Sequence, residues 1–346
     1  MATEERNRFV DIMRGLAMLL VVLGHTMTGS TTGAEESFLF NVVWSLQMPL
    51  FILISGYVTR YSRNISSGFE LWRFVKRRTL AYMLPWIVWS FLVRGIIFGQ
   101  TSYLNIKWLL WHMDSGYWFL ATIWTISIVF GLSTFLAQKI VKTKSIRLHA
   151  VTALFYLIAM AVLAGVAFVA GLSYFAIKLT LYYMPFFFAG YLYGQYRDSL
   201  LETRYGKIAK DVVVAMCLAV WLAIITRFHL FAMPDSGIGI VLRAFSSLTG
   251  CIAVCGLSKG VYEIETQSGG GTKLLAWSGL HSLEIYLSHY LLLNLLKLSV
   301  TPAIGTFQGA GIILINYIIT VILVVFAVKM LNGSRIMRFV LYGKEK

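Results

Sequence analysis

The sequence is short of charge, acids, proline and cysteine. Only 13% of its 346 residues are Asp, Glu, Lys or Arg, against roughly 25% in soluble domains. A chain this poor in charge is not an ordinary water-soluble globule. Five prolines and no low-complexity tract leave little room for a disordered tail or a soluble second domain. The three cysteines, Cys217, Cys251 and Cys255, all lie in apolar runs and form no C-x-x-C. That argues against a disulfide framework or a zinc ribbon. Cys251 and Cys255 are one helical turn apart, a spacing that also suits a pair. Free cysteine commonly packs as a small hydrophobe, and that is the reading for all three.

What the sequence has instead is apolar length. Hydrophobic residues make up 58% of it, and its mean hydropathy is +0.74. Apolar runs near twenty residues recur, as in membrane-spanning helices. Ten helical spans are expected, near 9–28, 37–58, 80–98, 118–138, 149–170, 174–193, 211–231, 238–258, 274–297 and 309–331. The fold class is thus an all-α polytopic membrane protein in a lipid bilayer. Residues 1–346 are expected to form a single membrane domain with no appended soluble domain. Short amphipathic pieces are expected at 69–78, where "FELWRFVKRR" alternates apolar and basic residues as an interfacial helix does, and at 104–112. "SGGGTK" (268–273) reads as a flexible turn. A cleaved signal peptide would need a basic start, but Glu4, Glu5 and Asp11 dilute Arg6 and Arg8, so the first span is expected to be retained.

Basic residues outnumber acids 30 to 15, for a net charge of +15. Over ten alternating spans, 23 of the 30 fall in loops on the side of the two termini. By the positive-inside rule both termini are cytoplasmic. This bias accounts for the charge without nucleic acid as a partner.

Ionisable groups inside spans cost about 2.5–3.5 kcal/mol or more and mark function by default. "RGLAMLLVVLGH" places Arg14 and His25 eleven residues apart. That is about three helical turns, so both share a face with Met18 and Val21, separated by a rise of roughly 16 Å. Arg14 suits an anionic group such as a phosphate entering from the cytoplasm, and Asp11, one turn earlier, is placed to hold its guanidinium. His25, deep toward the outer half, suits a general base in a shielded cavity. Snorkelling for Arg14 and packing for His25 are the bland alternatives.

"SGLHSLEIYLSHYLLLN" adds His281, Glu284, Ser288 and His289, with His289 at a depth similar to His25. A buried Glu284 needs a partner, such as His281 or an arginine. An interhelical clamp explains this set as well as function does. The spacing is not a zinc signature, so no metal is expected. On the opposite face Arg94, Lys107, His112, Asp114, Lys178, Arg227, His229, Asp235 and Arg243 gather near Trp108, Trp111, Tyr117 and Trp118. Such residues suit a sugar or an anionic acceptor, and aromatics at this depth are also the ordinary membrane belt. Lys178 and Arg243, each about a turn inside a span, fit a polar cavity as well as they fit snorkelling.

These residues bring a family into view. "FVDIMRGLAMLLVVLGHT", with Arg, ten residues, then His, resembles the opening of the acyltransferase 3 family of membrane acyltransferases. "QMPLFILISGYV" (47–58), "GYWFLATIW" (116–124), "MPFFFAGYLYG" (184–194) and "HSLEIYLSH" (281–289) resemble its later segments, in order. Gln47 stands where members often have His. The basic stretch before the third helix reads "KRRTLAYMLP", with Arg77 and Arg78 present and Ala81 at the place of a second arginine.

The resemblance implies acyl transfer from cytoplasmic acetyl-CoA, or another acyl-CoA, to a hydroxyl of an envelope polysaccharide or lipid-linked glycan, in a bacterial cytoplasmic membrane. Arg14, with Arg77, Arg78 and Asp11, would form the donor end. The donor's arm would run along the Met18/Val21 face, and His25 would take the hydroxyl proton. Ser55, Tyr57, Trp118, Lys178, Arg243, Glu284 and His289 are candidates for the acceptor or for an oxyanion donor. A transporter or flippase of an envelope glycan or small anion is the competing reading. The ten-helix count fits it, but paired half-sequences are not evident.

Overall fold

The fold is described from a computed structural model that covers residues 7–62, 64–112, 116–142, 146–169, 174–268 and 272–344. Of the residues singled out above, Glu4, Glu5, Arg6, Asp114 and 269–271 of the glycine turn lie outside them. Among the described residues thirteen α-helices follow one another: α1 Arg8–Ser30, α2 Phe38–Val58, α3 Gly68–Ile87, α4 Ile106–Trp111, α5 Trp118–Ile140, α6 Ile146–Val169, α7 Ile177–Leu201, α8 Arg204–Arg227, α9 Gly237–Ser268, α10 Lys273–Leu280, α11 Ser282–Ser288, α12 Phe307–Leu331 and α13 Arg335–Tyr342. The starts obey capping chemistry. The Asn7 side chain accepts from the amides of Phe9 and Val10 at the head of α1, and Ser37 accepts from Phe40 N at the head of α2. Ser67 and Glu70 form a capping box on α3. The described residues contain no strand, only an isolated bridge between Thr32 and Ala303.

Nine helices among the described residues are long and apolar enough to cross a membrane: α1, α2, α3 with its continuation, α5, α6, α7, α8, α9 and α12. The protein is an all-α polytopic membrane protein. Two expectations change in detail. The amphipathic piece at 69–78 and the span at 80–98 are one helix, which passes Pro85 and continues as a π-helix over Val88–Ile97. The span expected at 274–297 is not continuous. It breaks at His281, which closes α10 and opens α11, then tightens into a 3₁₀ turn over His289–Leu291 and leaves helical geometry. The amphipathic helix expected at 104–112 is present as α4.

Contacts divide the chain into two units, residues 1–60 with 188–330, and 61–187 with 331–346. In the first unit, α1 packs most closely on α10 and then on α2, and α8 pairs with α9. Glycines allow the tightest crossings. A methyl on Gly15 would overlap the Leu275 carbonyl, and one on Gly279 would overlap the Asp11 carbonyl, so the α1 and α10 backbones touch. Around the C-terminal end of α1, Met27, Ala34, Phe40, Val43 and Ile313 form a buried apolar cluster. Asn41 of α2 bonds the carbonyls of Ile225 (3.2 Å) and Phe228 (2.8 Å) and accepts from Leu230 N, closing the end of α8.

In the second unit α5 packs on α3 and α6. Helix α13, short and basic, is not legible as a span. It is anchored by Tyr342, whose ring stacks on Trp89 at 6.3 Å, while Trp89 Nε1 donates to Leu341 O at 2.9 Å. Arg94, in the π-helical stretch, is buried: its guanidinium lies 4.3 Å from the Tyr103 ring centre, and Nε donates to Gln100 Oε1.

Candidate functional site

The α1/α10 crossing fixes how α11 meets the far end of α1. There the rings of His25 and His289 face each other, with centroids 5.5 Å apart and planes inclined by 37°. Tyr290 stands edge-on to His25 at 5.7 Å and to His289 at 6.3 Å. His289 is buried, only 2% exposed. Its Nδ1 lies 2.7 Å from Tyr286 O and 3.1 Å from Ile285 O. Carbonyl oxygens only accept, so Nδ1 carries the hydrogen, and the neutral ring keeps its lone pair on Nε2. That Nε2 is buried and has no hydrogen-bond partner among the described residues. His25 is exposed on the chain's own surface rather than enclosed. Its neighbours along the helix on that side, Thr28 and Gly29, are also exposed and too small to cover the ring.

A polar network that sequence reasoning missed holds the non-helical segment after His289 against α1. Asn294, with φ +52°, donates through Nδ2 to His25 O at 3.4 Å and accepts from Ser30 Oγ at 2.8 Å. Asn316 of α12, 1% exposed, donates to Ser30 Oγ (3.0 Å) and Leu296 O (3.0 Å) and accepts from Leu296 N (3.1 Å). Thr320 Oγ1 donates to Leu292 O at 3.2 Å. Backbone that leaves a helix at membrane depth must find such partners inside the protein. The only signal in the sequence was a single Asn within a long apolar run, which does not reveal what it bonds.

The other expected residues divide. Arg14 is half-buried on α1 and Asp11 is buried. Between Arg14 and His25, Met18 and Val21 are 0% and 2% exposed, so a route along that face is filled and opens only if they move. Glu284, 1% exposed, pairs with its expected neighbour: Oε1 lies 3.2 Å from His281 Nδ1. Ser288 Oγ donates to Glu284 O at 2.7 Å.

Ser55 and Tyr57 are not at the histidine pair. Helices α1 and α2 run antiparallel, with Gln47 beside Gly24. Ser55 and Tyr57 lie eight and ten residues further along α2, roughly 12–15 Å away. Ser55 Oγ donates to Phe51 O, and the Tyr57 hydroxyl accepts from Arg197 Nη1 at 2.5 Å, beside an Arg60–Asp198 ion pair of 2.5 Å. Arg243 is bound locally, to Asp235 at 2.6 Å and Gly239 O at 3.3 Å.

Arg77, Arg78, Trp118 and Lys178 belong to the second unit. Arg77 and Lys178 are exposed. Arg78 donates to the Tyr82 hydroxyl and lies over the Phe74 ring, and Trp118 stacks on Tyr183 at 5.7 Å. No group of three or more potential metal ligands occurs among the described residues.

Comparisons with known proteins point to the same family. The family model described as an acyltransferase domain matches residues 7–330. Nodulation protein NolL of Sinorhizobium fredii (strain NBRC 101917 / NGR234) is 25% identical over 233 residues, covering 62% of this chain and 56% of that protein. The chain thus spans about half the length of this curated relative. No solved structure matches. With nine membrane-length apolar helices among its described residues and a family match over nearly its whole length, the chain is an integral membrane protein that belongs to the acyltransferase 3 family.

Proposed function

We propose that the chain carries an acyl group, most simply acetyl, from cytoplasmic acyl-CoA to a hydroxyl of an extracytoplasmic or lipid-linked glycan. His25 acts as the general base. The observation that carries this reading is the His25–His289 pair at the end of α1 opposite Arg14. It joins a buried imidazole with an open lone pair to one that a substrate can reach. The positive-inside distribution puts Arg14 toward the cytoplasm, where the phosphates of CoA enter, and His25 toward the opposite side, where a glycan hydroxyl arrives.

In the reaction, His25 takes the hydroxyl proton as the oxygen bonds to the thioester carbonyl carbon. The carbon–sulfur bond then breaks, and the departing thiolate takes the proton back from His25. Charge developing on the carbonyl oxygen needs a hydrogen-bond donor. The helices form one catalytic domain in a bacterial cytoplasmic membrane.

The test is incubation of the purified protein with labelled acetyl-CoA and an envelope glycan extract from cells lacking the gene. Acetylated glycan and stoichiometric free CoA are expected from wild type and not from His25→Ala. Equal product from both would refute the role of His25, and no product from wild type would refute the donor or the acceptor.

A further inference from the structure

His289 meets His25 with one nitrogen already committed. Its Nδ1–H is held by the carbonyls of Tyr286 and Ile285, one turn back on the same helix. The ring therefore cannot present a different tautomer without losing both bonds. Its Nε2 is an acceptor sealed from solvent with no partner among the described residues, and a buried polar atom left unpaired costs about 1–3 kcal/mol. The facing ring, His25, has no hydrogen bond from its own side chain among the described residues, and its centroid is 5.5 Å away. At that spacing a rotation of the exposed His25 ring lets one N–H address Nε2. The Ser30–Asn294–Asn316 network and the Asn294 bond to His25 O hold the two backbones in register while it does so.

We propose that His289 is the positioning residue of His25. Its Nε2 accepts the N–H of the His25 imidazole, which leaves the lone pair on the other His25 nitrogen, the one that meets the acceptor hydroxyl. When His25 takes the hydroxyl proton, His289 Nε2 shares the positive charge that forms. The proton itself returns from His25 to the CoA thiolate, so His289 gains and loses none. This rests on the reading of His25 as the base. It assigns to a neutral, backbone-locked imidazole the orienting task that a carboxylate performs in hydrolase triads.

Two measurements test it. In protein labelled with ¹⁵N in its histidine rings, with the His25 signals identified through His25→Gln, wild type is expected to show His25 as a single neutral tautomer. His289→Gln, whose Oε1 can accept in place of Nε2, should keep that tautomer. His289→Leu should give a mixture. A mixture in wild type, or an unchanged single tautomer in His289→Leu, overturns the proposal, and neither outcome depends on the acyl-transfer reading.

In the acetyl-CoA assay with the envelope glycan extract, His289→Leu should lower kcat by about tenfold or more with KM for acetyl-CoA within about twofold. His289→Gln should recover most of the loss. Loss in both variants alike, or a change confined to KM, overturns it. Should His289→Leu fail to insert, the wild-type and His289→Gln spectra decide the matter. Should wild type transfer nothing, the proposed reaction fails while the spectra still judge the histidine pair.

Discussion

Gly15 of α1 and Gly279 of α10 sit backbone to backbone, each against the main chain of the other helix, with the Leu275 and Asp11 carbonyls where a side chain would be. This crossing lies about three turns before His25 on α1 and ten residues before His289. It therefore sets the angle at which α11 meets the end of α1.

Gly279→Ala, and equally Gly15→Ala, is expected to force the two helices apart at a cost of about 1–3 kcal/mol. A lowered Tm in detergent and a parallel loss of acyl transfer would be the signs. Gly260→Ala on α9, where a methyl meets nothing within 4 Å, serves as the control and should change neither. An unchanged Tm in Gly279→Ala would show that the close approach is not rigid.

Asn316→Leu should loosen the segment that follows His289. Three hydrogen bonds end on this amide, and leaving the Leu296 amide and carbonyl unpaired costs about 1–3 kcal/mol per group. Protease sensitivity or hydrogen exchange localised to residues near 292–299 is the measurement. Exchange as slow as in wild type would show that the segment is held by other means.

Arg14 and His25 should separate cleanly in kinetics. His25→Ala is expected to lower kcat by roughly 10²–10⁴-fold with normal membrane insertion. Arg14→Ala should chiefly raise KM for acyl-CoA, because a guanidinium that holds phosphate acts in binding. The opposite pattern, a kcat effect from Arg14 and a KM effect from His25, would reverse the two roles.

Tyr57→Phe is expected to leave kcat close to wild type. Its hydroxyl is engaged with Arg197 near the far end of α2, and losing one such bond costs about 1–3 kcal/mol of stability. A kcat loss as large as that of His25→Ala would mean that the α2 end approaches the reacting group during turnover.

The helices were legible because a lipid-facing segment must be apolar for about twenty residues, and nine such helices stand where the runs predict them. The Arg14–His25 register was legible for a similar reason: helical phase is set by sequence spacing. Three features were not. The joining of 69–78 to 80–98 depends on Pro85 and the π-helical turn being tolerated in place, which hydropathy does not report. The break at His281 was hidden because no proline marks it and the mostly apolar residues on either side read as one span. Helix α13 was hidden because eight residues with two arginines resemble a loop until Trp89 receives Tyr342.

The sequence by itself determined that the chain lives in a membrane, which helix carries the arginine and the histidine, and that they lie on one face. These follow from local rules of hydropathy and helical period. Only the tertiary structure decided that the His289 ring faces His25, and that Ser55 and Tyr57 lie elsewhere. Such pairings depend on which helices touch and at what depth. Here that is set by two glycines that let α1 and α10 meet and by asparagines that satisfy the backbone where the helix ends.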